Sequence, residues 1–264
     1  MCCTVSHDRA AGILSLLEEA HGWRSGEEIS SLLGISRAAV GKHVAALRVD
    51  GHAIEAAPRR GYKLLAKRDV INPEALAADL RTVCIGKKGW HILGETTSTN
   101  SDAIKLAAEG SPEGVVVLAE RQTRGRGRKG NTWCSAPRGL QFSLILRPDI
   151  RHCRSDLLTS LAMRAVQGAI QEYTGIKAEG KAPNDVFVKM RKVAGILVET
   201  GFRGDEPEWA VVGIGCNVNA LPGDFPPELR PRITSLLEEN GRPLSRSAIL
   251  QCILELFESY YRQL

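Results

Sequence analysis

The reading of "GRGRKGNTWCSAPRGLQFSLIL", residues 125–146, decides the fold. Its first six residues fit G-x-G-x-x-G, the dinucleotide fingerprint, and Asp149 stands about the ~20 residues downstream where that motif carries its acidic partner. The same letters nearly make the P-loop, G-x-x-x-x-G-K-[ST], with Asn131 in place of the lysine. Both motifs need a helix next, because its N-terminal amides and dipole hold the phosphates. Residues 131–142 do not supply one: Thr132 and Trp133 are followed by Pro137 and an extended apolar run. What remains is a glycine loop bearing the cations Arg124, Arg126, Arg128 and Lys129, which runs into a strand. Guanidinium groups grip phosphate bidentately, and Gly125, Gly127 and Gly130 let the backbone wrap a ligand. Self-repulsion predicts a mobile loop that an anionic ligand orders; on charge alone, a second nucleic-acid patch competes with that reading.

The flanking pattern fits an α+β fold. Residues 98–110 read as a helix, 114–120 and 140–146 as strands, and 155–174 as a long helix capped by Ser155 and stopped by Gly175. Strands follow in "DVFVKM" (185–190), "KVAGILVET" (192–200) and "EWAVVGIGCNV" (208–218), then an amphipathic helix from Ser247 to the end. Strands next to strands, with few crossover helices, predict a mixed, largely antiparallel sheet.

Upstream the periodicity is helical. Ile13, Leu14 and Leu17 share a face of one helix. A second runs from the capping box Ser25–Glu28 to Gly34, and Ser36 caps a third that ends at Gly51. The turn from Leu33 to Ser36 is of helix-turn-helix length. With Val40, Val44 and Leu47 buried, Arg37, Ala38 and Lys42 lie on the outer, early face of the third helix, where a recognition helix meets base edges. Residues 53–65 then read as a hairpin whose turn carries Arg59 and Arg60, completing a winged helix-turn-helix. Charge agrees: residues 1–36 hold two basic against five acidic side chains, and residues 37–66 six against two. One positive flank on a small unit is the footprint of a phosphate-backbone binder, against the plainer reading of a solvated charge run. The boundaries expected are 1–66 for this domain, 67–80 for a linker in which Pro73 opens a short helix, and 81–264 for the larger domain.

Composition sets the class. Among 264 residues, 43% hydrophobic and 25% charged describe a folded, soluble chain with a genuine core. No window approaches the ~18 apolar residues of a membrane span, and the first ten residues carry no export signal. The seven cysteines form no C-x-x-C pair, as expected of reduced thiols in a cytoplasmic protein. No His/Cys/Asp cluster has metal-ligand spacing.

Two resemblances sharpen this. "SRAAVGKHV" (36–44) and "RRGYKL" (59–64) resemble the DNA-binding domain of the biotin operon repressor. "GRGRKGNTW" resembles the signature loop of biotin protein ligases. Its companions stand in order: "STN" at 98–100, Gln122, "KAPND" at 181–185, "KVAGILVE" at 192–199 and "GIGCNVN" at 213–219. The match spans essentially the whole chain and is to the bifunctional ligase–repressor type. It implies that biotin's carboxylate attacks the α-phosphate of ATP, giving biotinyl-adenylate, and that a lysine of a biotin carboxyl carrier protein then takes the biotin.

By position, Ser98, Thr99, Asn100 and Gln122 would hydrogen-bond biotin, with Gly195 beside them; "STN" is also a natural N-cap for the following helix. Arg126 and Gly127 would wrap the ligand, and Arg128 would shield the adenylate. Trp133 would wall the valeryl chain. Lys181 is expected to be the main catalytic ammonium, offsetting the meeting of two anions. Arg126, Arg128, Asn184 and Asn217 would face ATP, whose Mg²⁺ arrives with the nucleotide. Adenylate would favour a homodimer on operator DNA.

Two departures stand out. The family's K-W-P-N-D has Ala182 for its tryptophan; where that ring packs under the site, its loss opens a cavity costing ~3–5 kcal/mol unless neighbours fill it. The family's further small β-barrel is not represented, as the sequence ends "YYRQL". Both favour an alternative in which the chain is a biotin-responsive repressor with weak or lost ligation. Ligation of a related acid such as lipoate is a third, weaker reading.

Overall fold

Local signals explain most of the helices. In the computed structural model, which describes residues 4–67, 69–149 and 154–264, α1 (Thr4–Glu19) is followed by a short β1 (Trp23–Arg24). Helix α2 (Gly26–Leu33) starts on the Ser25–Glu28 capping box and stops at Gly34, left-handed at φ 61°. Ser36 caps α3 (Arg37–Val49) by accepting from the Ala39 amide. Strands β2 (Ala53–Ala57) and β3 (Gly61–Ala66) form the hairpin, and β1 pairs with β3, an addition that its two residues gave no periodicity to reveal. Ile13, Leu17, Ile29, Val40, Val44, Leu47 and Ile54 close this core, so the stripe expected on α3 faces inward.

The chain divides into two compact units, Met1–Asp69 and Val70–Leu264. Residues 70–80, expected to be linker, belong instead to the second. Helix α4 (Pro73–Asp79), capped by Asn72, buries Leu76, and Ile71 and Leu80 join it in the larger core. Their polar neighbours disguised this: three apolar residues at wide spacing anchor an otherwise polar stretch.

The second unit is a seven-stranded sheet in the order β4-β5-β6-β10-β9-β8-β7. Its strands are β4 (Trp90–Thr96), β5 (Val116–Gln122), β6 (Leu140–Leu146), β7 (Glu179–Lys181), β8 (Asp185–Val188), β9 (Arg191–Arg203) and β10 (Glu206–Cys216). Only β4 and β5 run parallel, so the mixed, mainly antiparallel sheet is as expected. Helix α5 (Thr99–Ala108) covers one face through Ala103 and Ala107, against Val117, Ile145 and Val211. The other face is covered by α6 (Ser155–Thr174) and α8 (Arg246–Tyr261), with Phe142 and Phe257 fully buried; a short α7 (Leu236–Asn240) precedes α8. Helix α6 is stopped by Gly175 as expected, but Arg154 rather than Ser155 holds its N-cap position. The buried carboxylate of Glu258 on α8 accepts from three consecutive amides, Val83, Cys84 and Ile85, and so ties the start of the unit to its last helix. Cys84, Cys134, Cys216 and Cys252 are free thiols; Cys2, Cys3 and Cys153 lie outside the described residues.

Candidate functional site

The glycine loop is a tight hairpin. An antiparallel bridge joins Arg126 to Thr132, the Gly127 amide donates to Asn131 O at 2.8 Å, and the Trp133 amide donates to Gly125 O at 2.9 Å. A single helical turn, Arg128–Gly130, forms its tip. Part of the expected self-repulsion is offset within the fold. Arg126 Nη2 lies 2.6 Å from Glu199 on β9, so one of the four cations is already neutralised.

Beneath the loop lies an open-mouthed cavity of about 120 Å³ over the ends of β5, β9 and β10. Ser98, Thr99, Asn100, Gln122, Arg126, Gly127, Arg128, Trp133, Asn184 and Gly195, all expected here, line it together. Ser98 takes the N-cap position of α5 but makes no side-chain cap bond, so its hydroxyl does not serve the helix. Gln122 Oε1 accepts from the Thr99 amide at 2.8 Å, which turns the Gln122 amide nitrogen away from the helix. Asn184 is braced by donating to Ile196 O at 2.7 Å.

Two glycines make the floor. Gly195 and Gly215 are cross-strand neighbours, and the indole of Trp133 lies over both. A Cβ on Gly215 would fall 2.4 Å from Trp133 Cε2, and one on Gly195 3.2 Å from Cζ3. One strand step away, a Cβ on Gly213 would fall 1.8 Å from Asn100 Oδ1. Trp133 Nε1 is buried with no hydrogen-bond partner among the described residues. Such an orphan donor costs roughly 1–3 kcal/mol and is relieved by a ligand acceptor.

Two expected placements are corrected. Lys181 is exposed at the end of β7, its ammonium 5.1 Å from the Phe187 ring centroid, and is not in the cavity wall. The wall holds Lys192 instead, with Nζ 2.7 Å from Asp185 and 5.5 Å from the Trp133 ring centroid. The cause is a β-bulge. Strand alternation would put Lys192 and Gly195, three apart, on opposite faces. The bulge beside Val186 sends Val193 and Ala194 both into the core, which returns Lys192 to the cavity side. Asn217 lies outside the wall too: it is buried, with Nδ2 donating to Thr234 O at 3.0 Å beyond the end of β10. Ala182 is exposed in the turn after β7 and is not among the residues lining the cavity. Asp185, Lys192, Asn131 and Thr132, which stand within the quoted motifs but were given no role there, also line the wall.

Burial disfavours the thiolate at both Cys216 and Cys134. Burial pushes the Cys216 thiol up to about 12. Burial first, and then the Glu228 charge, raises that of Cys134.

In the first unit, Arg37, Ala38 and Lys42 are exposed on the outer face of α3, and Arg37 and Ala38 share a concave surface with Arg59 of the hairpin turn. Arg60 folds back, with its guanidinium 4.4 Å over the Trp23 ring.

A cationic, glycine-floored cavity at strand ends, on a sheet of this order, defines a small-molecule site of ligase type carried behind a helix-turn-helix module. The chain belongs to the biotin/lipoate A/B protein ligase family, whose model matches residues 93–217, and an HTH domain model matches residues 9–63. It is 40% identical over 241 residues to the bifunctional ligase/repressor BirA of Bacillus subtilis, covering 90% of this chain and 73% of that protein. To the Escherichia coli bifunctional ligase/repressor BirA it is 32% identical, covering 89% and 74%. Among solved structures, the biotin protein ligase of Aquifex aeolicus in complex with biotin and ATP superposes with a TM-score of 0.57. That match is at 32% identity over 67% of this chain and 71% of the other.

Proposed function

We propose that the chain is a biotin protein ligase that also represses transcription through its winged helix. It would form biotinyl-adenylate from biotin and ATP, and pass the biotin to a lysine of a carrier protein. The supporting observation is a single cavity in which neutral hydrogen-bonding groups (Ser98, Thr99, Gln122) meet the cations Arg126, Arg128 and Lys192. A ureido ring is polar and uncharged, and suits the first group. A carboxylate meeting a phosphate needs the second. Lys192, held by Asp185, would stand between those two anions, the role that the motif alone assigned to Lys181. Trp133 would wall the aliphatic chain and offer its orphan N–H.

The fit for magnesium is through the nucleotide. Among the described residues no group of His, Cys, Asp and Glu could hold a metal ion, so Mg²⁺ would come on the phosphates. Arg126, Arg128 and Asn184 would face that complex, and Mg²⁺ would neutralise phosphate charge. Among the described residues no helix is long and apolar enough to cross a membrane. A cytoplasmic location and an adenylate-favoured homodimer on operator DNA complete the reading. The alternative of a repressor without ligation loses one of its supports, since Ala182 stands away from the cavity.

Purified protein with biotin, MgATP and a carboxyl carrier domain should gain the biotinyl mass on the carrier; an unmodified carrier with no pyrophosphate released would overturn ligation. Arg128→Ala removes one charge-assisted contact, so free adenylate should escape about 10–100-fold faster, seen by rapid filtration. On DNA, Arg59→Ala should weaken binding to every sequence and lower the salt slope by about one. Arg60→Ala should also weaken it, and in addition lose the Trp23 contact. An unchanged salt slope for both would remove the wing from the interface.

A further inference from the structure

Six side chains form one hydrogen-bonded line beside the cavity: Gln122, Thr99, Ser143, Asn100, Glu199 and Arg126. Its proton order is set from the end where the donors are fixed. Asn100 Nδ2 lies 2.9 Å from a Glu199 carboxylate oxygen and 3.2 Å from Leu197 O. Both of those atoms only accept, so the amide nitrogen must face them and Oδ1 must face Ser143. Ser143 is fully buried on β6, and its hydroxyl lies 2.7 Å from that Oδ1, which also only accepts. The one Ser143 proton is therefore committed to Asn100.

This commitment decides Thr99. Its hydroxyl lies 2.9 Å from Ser143 Oγ and 3.1 Å from Gln122 Oε1. Three contacts share two hydroxyl protons. Gln122 Oε1 already receives the Thr99 amide, so the longer contact is the one that yields and Thr99 donates to Ser143. Thr99 then turns lone pairs to the cavity, and Gln122 turns its NH₂ there. The pair presents an acceptor beside a donor, the complement of a ureido N–H and C=O.

We propose that Glu199, which is not in the cavity wall, is the positioning residue that sets this polarity and joins it to the loop. One carboxylate oxygen orients Asn100, and through it Ser143 and Thr99; the other holds Arg126 at 2.6 Å. The state of the biotin-recognising groups and the posture of the cationic loop thus share one carboxylate. The inference rests on biotin being the ligand.

The test exchanges the two groups without changing shape. Glu199→Gln alone lets an amide face Asn100, and should raise the biotin Kd, by calorimetry, about tenfold, the worth of one hydrogen bond. Asn100→Asp alone sets two carboxylates side by side and should do at least as much damage. Combining them restores an acceptor for Ser143 and a donor beside it but leaves Leu197 O without its donor, so biotin should bind about threefold or more tighter than to either single variant without regaining the wild-type affinity. Arg126 still faces a neutral amide in the combined variant, so adenylate should escape about tenfold faster in it, as in Glu199→Gln. A merely structural glutamate would give no recovery on exchange. Single variants that bind biotin as tightly as wild type, or an exchange that recovers nothing, overturn the proposal. A wild-type chain that ignores biotin overturns the ligase reading first, and this inference with it.

Discussion

Replacing Lys192 by methionine is expected to slow adenylate formation by two to three orders of magnitude, whereas Lys181→Met leaves it within about threefold. The magnitude is that of removing one fixed electrostatic stabiliser, ~10²–10³ in rate. Geometry assigns the difference. Lys192 stands in the cavity wall between Asp185 and Trp133, and Lys181 lies outside it over Phe187. Methionine keeps the stem length and apolar contacts, so the loss isolates the charge. Pyrophosphate release from biotin and MgATP measures it. The reverse ranking of the two lysines would overturn the assignment made from the bulge.

Gly215→Ala is expected to weaken biotin binding about 10–100-fold, because overpacking costs ~1–3 kcal/mol and each 1.4 kcal/mol is a factor of ten. The new methyl group would sit 2.4 Å from Trp133 Cε2, and so the indole must leave the floor. Indole emission should shift as the ring moves toward solvent. Gly223→Ala is the control, since its Cβ would meet nothing within 4 Å. Isothermal titration of both variants checks the pair; equal affinities would mean that the Trp133 wall contributes nothing.

Much of the fold was legible in the sequence, and the exceptions have physical reasons. Capping residues, apolar periods and glycine stops located α2, α3 and the far end of α6, because each is a local signal. Pro137 and the extended apolar run after it separated the loop from a dinucleotide motif, and the loop does lead into β6. Ten of the residues expected at the cavity meet there. Lys181 did not, because a motif lists residues and says nothing of which face each one takes. The readable trace of the bulge was "VA" before Gly195: two consecutive apolar residues where strict alternation wants one. Strand β4 escaped notice because its exposed edge residues, such as His91 and Gly94, carry no apolar run. The Glu199 line was invisible because its members lie on separate elements and are joined only by folding.

The seating of α4 has a bearing on how the two roles can be parted. A cut at residue 81, where polarity drew the border, would tear Ile71, Leu76 and Leu80 from the larger interior and leave a hole in it. A cut between Asp69 and Val70 leaves each interior whole. Severed there, the vitamin-handling half would keep its own plug, and the helix-turn-helix head would come away with its interior intact.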